Sequence, residues 1–455
     1  MSTEIESGPG VVRGEERLRT TRFWQATEDG TISTGGRWKE ENFAMRILML
    51  TQSYAPVVGG AERMVEDLSF ELAERGHVVS VATLRQPGDG GDGAHGRVPV
   101  HLLESSVYRL PGVSLDVERR HAPPGPDPET VLGLRRLLAS ERPDVVHAHN
   151  WLFHSYLPVD RAGGPATVLS LHDYGLVCAT KRFLNRGADC TGPRLAKCIR
   201  CAGDYYGRPK GIGVAVGTRA SERMVRRHID MFLPVSSAVS ERCGFGGDEP
   251  HRVIPNFIGA LPPRPADEGP LAALPAEPFI LYFGDVTLDK GGGQLMQAYG
   301  RLESPPPLVL AGRCFLDDIE IVPGVVALGR LPHQLAIEVL RRSLFTVVPS
   351  LVPETFGLVA LETAATGKPV VASDIGGLKD VVVDGTTGYL VQPGNAEALG
   401  AAMQRLISDP ALQKRMGEAA RRRADEFSAD AILPQVEDAY ALAVAARRGK
   451  ASPEG

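Results

Sequence analysis

Arg46-Ile47-Leu48-Met49-Leu50, a loop closing on Gly59-Gly60, and then Val78-Val79-Ser80-Val81-Ala82-Thr83-Leu84 together decide the fold. Both runs are apolar almost without interruption, as strands of a parallel sheet covered on two faces must be. Between them Val65, Leu68 and Leu72 recur on one side of a helix, and Gly76 ends it. Strand, helix and strand in this order make one unit of a doubly wound sheet.

The same alternation continues outward. Asp127-Pro128 is an N-cap and first-turn pair for a helix running through Leu138, Asp144–Ala148 is the next strand, and Thr167–Leu171 another. Residues 261–278 are Pro-rich and have the composition of an interdomain linker. Beyond them the strands Phe279–Phe283, Leu308–Ala311, Val325–Leu328, Leu344–Val348 and Pro369–Ala372 alternate with helical segments such as Gln334–Arg342. The expected fold class is α/β, with two doubly wound Rossmann-like domains, 45–260 and 279–430, facing a central cleft. A final helix, about Pro434–Ala446, belongs to a segment 431–455 expected to pack back on the N-terminal domain. No fixed-period repeat joins the two halves.

With 455 residues, 43% hydrophobic and 23% charged, the chain can fill more than one core. A net charge of −5, with arginines scattered among acids, speaks against a nucleic-acid partner. No run approaches the ~18 apolar residues of a membrane-spanning helix, and no signal core follows the start, so the expected compartment is the cytoplasm. Several arginines in Arg219–Arg227 suit a peripheral contact at the inner face of the membrane, or simply a solvated helix face. Residues 1–44 are polar and without periodicity, and read as a disordered extension or as an upstream start outside the fold.

Function is carried by Pro353-Glu354-Thr355-Phe356-Gly357-Leu358-Val359-Ala360-Leu361-Glu362, which follows a strand and opens a helix. The unpaired amides around Phe356–Val359 would point from the carboxyl end of the sheet and suit a diphosphate. Glu354 precedes the helix and would reach a sugar, while Glu362, two turns in, would accept hydrogen bonds from ribose hydroxyls. A solvated helix face beside a Gly-rich turn is the plain alternative. Further segments occur in order: Gly59-Gly60-Ala61-Glu62-Arg63, Asp144-Val145-Val146-His147-Ala148-His149, Leu171-His172-Asp173, Val253-Ile254-Pro255-Asn256, Lys290-Gly291 and Gly376-Gly377.

This ordered set resembles the family 4 retaining glycosyltransferases of GT-B fold, the group 1 type, across nearly all of 45–447. The resemblance implies a nucleotide-sugar donor, with UDP or GDP as the base carrier, and a glycan, lipid-linked or small-molecule acceptor. It assigns the donor site to Gly59, Gly60, Lys290, Glu354, Phe356, Gly357, Leu358, Val359 and Glu362, and the catalytic roles to His172, Glu354 and Lys290. Gly59 and Gly60 would let the first loop approach the donor; a plain strand-to-helix turn is the other reading. His172 would contact the transferred sugar, and Lys290 the diphosphate as a point charge. His147 and His149 read as a structural strand-end pair satisfied by backbone. The mechanism implied is front-face departure and attack with no cofactor required, and with closure of the two domains about the linker.

One position departs from the pattern. Where the family usually offers an arginine after Phe283-Gly284, this chain has Asp285, whose charge would repel a diphosphate. Arg313 leaves the same sheet edge and is the candidate replacement, or an ordinary surface arginine. Four of six cysteines, Cys178, Cys190, Cys198 and Cys201, crowd into an insertion at 178–206 that reads as a loop in need of a staple. Structural zinc, reduced free thiols and an iron–sulfur cluster are the three readings, in that order.

Two activities of other classes compete. A nicotinamide-dependent dehydrogenase lacks its Gly-x-Gly-x-x-Gly, because Gly59-Gly60 are followed at once by Ala61-Glu62. A non-catalytic sugar-nucleotide-binding protein is supported only by Asp285. A glycogen-synthase-like or sugar-phosphorylase activity is set aside because such chains normally carry extra acceptor-binding segments.

Overall fold

Among the described residues thirteen strands form two large sheets. The first comprises β1 (Arg46–Thr51), β2 (Val78–Leu84), β3 (Gly93–His95), β4 (Val98–Leu103), β5 (Val145–Ala148), β6 (Ala166–Leu171) and β7 (Met231–Pro234). Their order is β7-β6-β5-β1-β2-β4-β3, parallel throughout except for the β3/β4 hairpin. The second sheet contains β8 (Ile280–Phe283), β9 (Leu308–Ala311), β10 (Val325–Gly329), β11 (Thr346–Val348), β12 (Val370–Ser373) and β13 (Gly388–Val391). Its order, β10-β9-β8-β11-β12-β13, is all parallel. Each sheet reverses its winding once, between β1 and β5 and between β8 and β11, and a crevice opens beyond the strand carboxyl ends at such a point. The fold is the expected α/β arrangement of two Rossmann-like halves.

The computed structural model describes residues 24–26, 32–34, 44–55, 59–86, 92–109, 122–185, 187–246, 249–315 and 319–451. Met1–Ala44 form a unit of their own, in which Trp24–Ala26 pairs antiparallel with Ile32–Thr34. Whether the rest of 1–44 is a disordered extension falls outside the described residues. Among the described residues no helix is long and apolar enough to cross a membrane.

The helix Gly60–Glu74 buries Met64, Val65, Leu68 and Leu72, the face expected from its spacing. The helix Pro128–Glu141 starts where Asp127 accepts hydrogen bonds from the amides of Glu129 and Thr130. Burial would raise the Asp127 carboxyl, but the Thr130 amide together with the Ser106 hydroxyl and the Ser106 and Val107 amides lowers it to about 2.

The last helix is longer than its sequence suggests. It spans Ala429–Ala451, with Pro434 inside it instead of at its start. Proline removes one donor, yet the flanking Ile432 and Leu433 are buried and hold that turn against the protein. Leu433, Tyr440 and Ala443 lie in one apolar cluster with Ile47, Val145 and Val168 of the first sheet. Near its end Arg447 donates to Asp230 at 2.7 Å and to Thr167 at 2.9 Å. The chain thus passes between the halves twice, and the passages touch: the Ile258 amide donates to the Phe427 carbonyl at 2.8 Å.

The insertion is more ordered than a loop. Leu184–Asn185 pairs with Ala188–Asp189, and Leu195–Tyr206 is a helix that carries both Cys198 and Cys201. The apolar side of that helix, Cys198, Ile199, Ala202 and Tyr206, is short, and the Gly, Pro and charged residues around it mask the period.

Candidate active site

Beyond β11 the chain turns through 349–357 before the helix Leu358–Ala365 begins. The turn is seated on Gly376-Gly377. The Gly377 amide donates to the Glu354 carbonyl at 2.7 Å, and a Cβ on Gly376 would stand 2.1 Å from that same oxygen. Gly357, at φ +104°, makes the reversal into the helix. The helix therefore starts at Leu358, and Glu362 lies little more than one turn in, not two. Its first amides have no intrahelical acceptor and face the cleft.

The cleft holds a cavity of about 350 Å³. Of the residues expected there, Gly60, His172, Lys290, Glu354, Phe356, Gly357, Leu358 and Val359 line it, together with Asn256 from the Val253–Asn256 segment. Gly59 caps the helix just before Gly60, whose own Cβ position is 3.1 Å from Leu358. At the cavity wall Glu354 Oε1 accepts from Lys290 Nζ at 2.6 Å and from Ser350 Oγ at 2.5 Å. The paired acid and base occupy the ground where sugar and diphosphate are expected to meet.

Glu362 stands outside the cavity wall and is engaged twice. Its Oε1 accepts from Arg63 Nη1 at 2.8 Å and contacts His333 Nε2 at 2.9 Å. Arg63 comes from the N-terminal half, so the second glutamate of the motif bridges the cleft. Two other contacts do the same. Arg182 of the insertion pairs with Asp289, next to Lys290, and Ser237 donates to Asp380 from its amide at 2.9 Å and its hydroxyl at 2.7 Å. Sequence reasoning missed Arg63, Arg182, Ser350 and His333. Arg63 was within reach, because it closes the Gly59–Arg63 segment.

On the opposite wall, His172 follows the last residue of β6. Its Nε2 is 3.0 Å from His149 Nδ1. His147, beneath them, contacts Tyr440 Oη at 2.7 Å and Ser170 Oγ at 2.8 Å. The bonds this histidine pair makes thus go to side chains, not to backbone as expected. Burial pushes His172 down to about 4 and His147 to about 3, and holds His149 well below its ordinary value. All three are neutral near pH 7. One of His149 and His172 donates to the other, and among the described residues His172 Nδ1 and His149 Nε2 are buried without a protein partner.

Asp285 lines the cavity, and Arg313 answers it with two hydrogen bonds, at 3.2 and 2.7 Å. Burial alone would raise the Asp285 carboxyl, but Arg313 lowers it below the ordinary range. Arg313 is therefore committed to the carboxylate, and the pair leaves little net charge beside the phosphate ground.

All six cysteines are free. Cys178, Cys190, Cys198 and Cys201 line one void of about 20 Å³, although among the described residues no three His, Cys, Asp or Glu side chains stand at metal-binding geometry.

Known proteins agree with this architecture. A glycogen synthase of Mycobacterium tuberculosis is 30% identical over 440 residues, 90% of this chain and 97% of that protein. A D-inositol 3-phosphate glycosyltransferase of Catenulispora acidiphila is 29% identical over 433 residues, 82% and 96% of the two chains. Extra acceptor-binding segments are thus no ground for setting a glycogen-synthase-like activity aside, since this chain spans nearly all of a protein with that name. Among solved structures, sucrose-phosphate synthase from Thermosynechococcus elongatus superposes with a TM-score of 0.68 at 22% identity, over 88% of this chain and 100% of that one. Anabaena HepE in complex with UDP and glucose does so at 0.63 and 18%, over 87% and 99%. The family model for glycosyltransferase family 4 matches residues 58–259, and that for glycosyl transferases group 1 matches 264–423. Both halves of the chain are accounted for, and it belongs to the family 4, group 1 glycosyltransferases, enzymes that transfer glycosyl groups.

Proposed function

We propose that this chain is a retaining glycosyltransferase that moves a sugar from a UDP- or GDP-sugar to a hydroxyl of a glycan, lipid-linked or small-molecule acceptor. The observation that carries the reading is the meeting of Lys290, Glu354 and the first amides of the helix Leu358–Ala365 in one cavity with His172 opposite. The helix amides and Lys290 stabilise the charge that develops on the departing diphosphate. Glu354, held by Ser350 and Lys290, accepts hydrogen bonds from the donor sugar. Neutral His172 faces that sugar from the other wall and offers a hydrogen bond without adding charge.

Retention is supported by the resemblance to the retaining family, and the N-terminal wall bears on how it is achieved. Gly60, Ala61, His172 and Asn256 line it, and none is a carboxylate that could form a glycosyl-enzyme intermediate. Attack then comes from the face the diphosphate leaves, with the acceptor hydroxyl positioned by the closed cleft. Glu362 is the ribose acceptor in this reading, and donor entry must share or displace its bonds to Arg63 and His333.

A thermal-shift panel of nucleotides and nucleotide sugars tests the donor assignment through binding linkage. Stabilisation by a uridine or guanosine diphosphate sugar, lost in Glu354→Gln, is the expected result. Indifference to the whole panel overturns the reading, and tight binding without nucleotide release on any acceptor class favours a binding protein.

A further inference from the structure

Four cysteines from three separate places in the insertion converge on one point. Cys178 lies beyond β6, Cys190 follows the Leu184–Asp189 hairpin, and Cys198 and Cys201 are three positions apart on the helix Leu195–Tyr206, hence on one side of it. The void they line, about 20 Å³, has room for a single water or ion. Their present contacts are weak ones. Cys178 Sγ lies 3.4 Å from Thr180 Oγ1, Cys190 Sγ 3.6 Å from the Gly192 carbonyl, and Cys201 Sγ 3.3 Å from the Leu184 carbonyl. Between the first two cysteines, Lys181 at φ +62° and Phe183 at φ +53° hold left-handed backbone that side-chain-bearing residues seldom adopt. Such a path persists only where the surroundings fix it.

We propose that Cys178, Cys190, Cys198 and Cys201 bind one zinc ion. Cys178, Cys190 and Cys201 turn inward from their oxygen contacts to join Cys198, the four thiols release their protons to water, and the thiolates take tetrahedral places about 2.3 Å from the metal, with no change of redox state. Lys197, which also lines the void, offsets part of the resulting negative charge. The ion is a strut and takes no part in sugar transfer. It braces the segment from which Lys181 pairs with Asp173 at 3.5 Å and covers Trp151, and from which Arg182 crosses to Asp289. The insertion thereby places a cation of the N-terminal half beside Lys290. The metal site rests on the thiols alone and stands whether or not the donor assignment does.

Untagged protein purified without added metal is assayed by elemental mass spectrometry and by thiol titration. About one zinc per chain is expected, with the four thiols shielded from a disulfide reagent until a chelator is added. Cys198→Ser should lose the metal and become sensitive to protease within 178–206. Should that variant not fold, chelated wild-type protein refilled with cobalt(II) gives the second reading, a thiolate-to-metal charge-transfer band saturating at one equivalent. Metal far below one equivalent together with no such band overturns the proposal, as do iron with acid-labile sulfide or a disulfide among the four.

Discussion

The C-terminal wall of the cleft is made from the carboxyl ends of β8 and β11 and from the run Glu354 to Val359 that follows β11, with Lys290 laid against it. The N-terminal wall gathers Gly60 from a helix start, His172 from a strand end and Asn256 from a distant loop. The first wall offers charge and backbone amides; the second offers neutral groups, among them His172, whose charge burial suppresses. A leaving group that gains negative charge needs the former, and an electron-poor sugar facing an incoming hydroxyl is not helped by a cation opposite. In the proposed reaction the division of the cleft into a charged and an uncharged side is thus itself part of the chemistry.

The contrast breaks most sharply at Glu354. Glu354→Gln should lower kcat roughly 10²–10³-fold, the usual scale for a stabilising group aimed at the reacting centre, as read from initial rates of nucleotide release. An effect under about threefold would remove the charged wall from the mechanism.

Acid should act on the other wall. Unfolded histidines take up protons as pH falls below about 6.5, whereas buried His147 resists until about 3, so its contribution to stability is complete above 6.5 and is lost through that window. Urea titrations at stepped pH should show up to about 1.4 kcal/mol of stability lost per pH unit from His147, with the same sign for His149 and His172. His147→Gln should flatten that slope, and an unchanged slope would show the histidine to be solvated.

Because His172 titrates near 4, kcat/KM should carry no limb near 6.5 that His172→Asn abolishes. Finding such a limb would put charge on the second wall. Arg63→Ala, which frees Glu362 from a partly exposed pair, should shift the donor KM only a few-fold, consistent with about 0.2–1 kcal/mol for such pairs. Smallest of all is the double change Asp285→Ala with Arg313→Ala, expected to leave donor KM within about twofold because it deletes both halves of one exposed pair.

Much of this was readable along the chain. Parallel strands buried on both faces, such as Leu308–Ala311, are short continuous apolar runs, and the donor segment is local, so both survive as linear patterns. What sequence could not supply lies between distant residues. Arg63 and Glu362 are 299 positions apart, and nothing in either neighbourhood names the other. Asp285 looked like a defect until Arg313, 28 positions on, was seen to answer it. The start of the helix at Leu358 was misplaced because a contact with Gly376-Gly377, not a local capping residue, holds the turn. The helix bearing Cys198 and Cys201 escaped because its short apolar stripe runs through a cysteine, which reads as a ligand in a loop and not as part of a helix face.

The bond from the Ile258 amide to the Phe427 carbonyl pins the two chain passages together at one point. Two tethers set far apart would clamp the halves at a fixed separation, whereas two set side by side act as an axle. Any widening of the cleft is then a rotation about that axle, and displacement grows with distance from it. Arg63–Glu362, Arg182–Asp289 and Ser237–Asp380 are the fastenings such a rotation must release, each carrying its own lever arm.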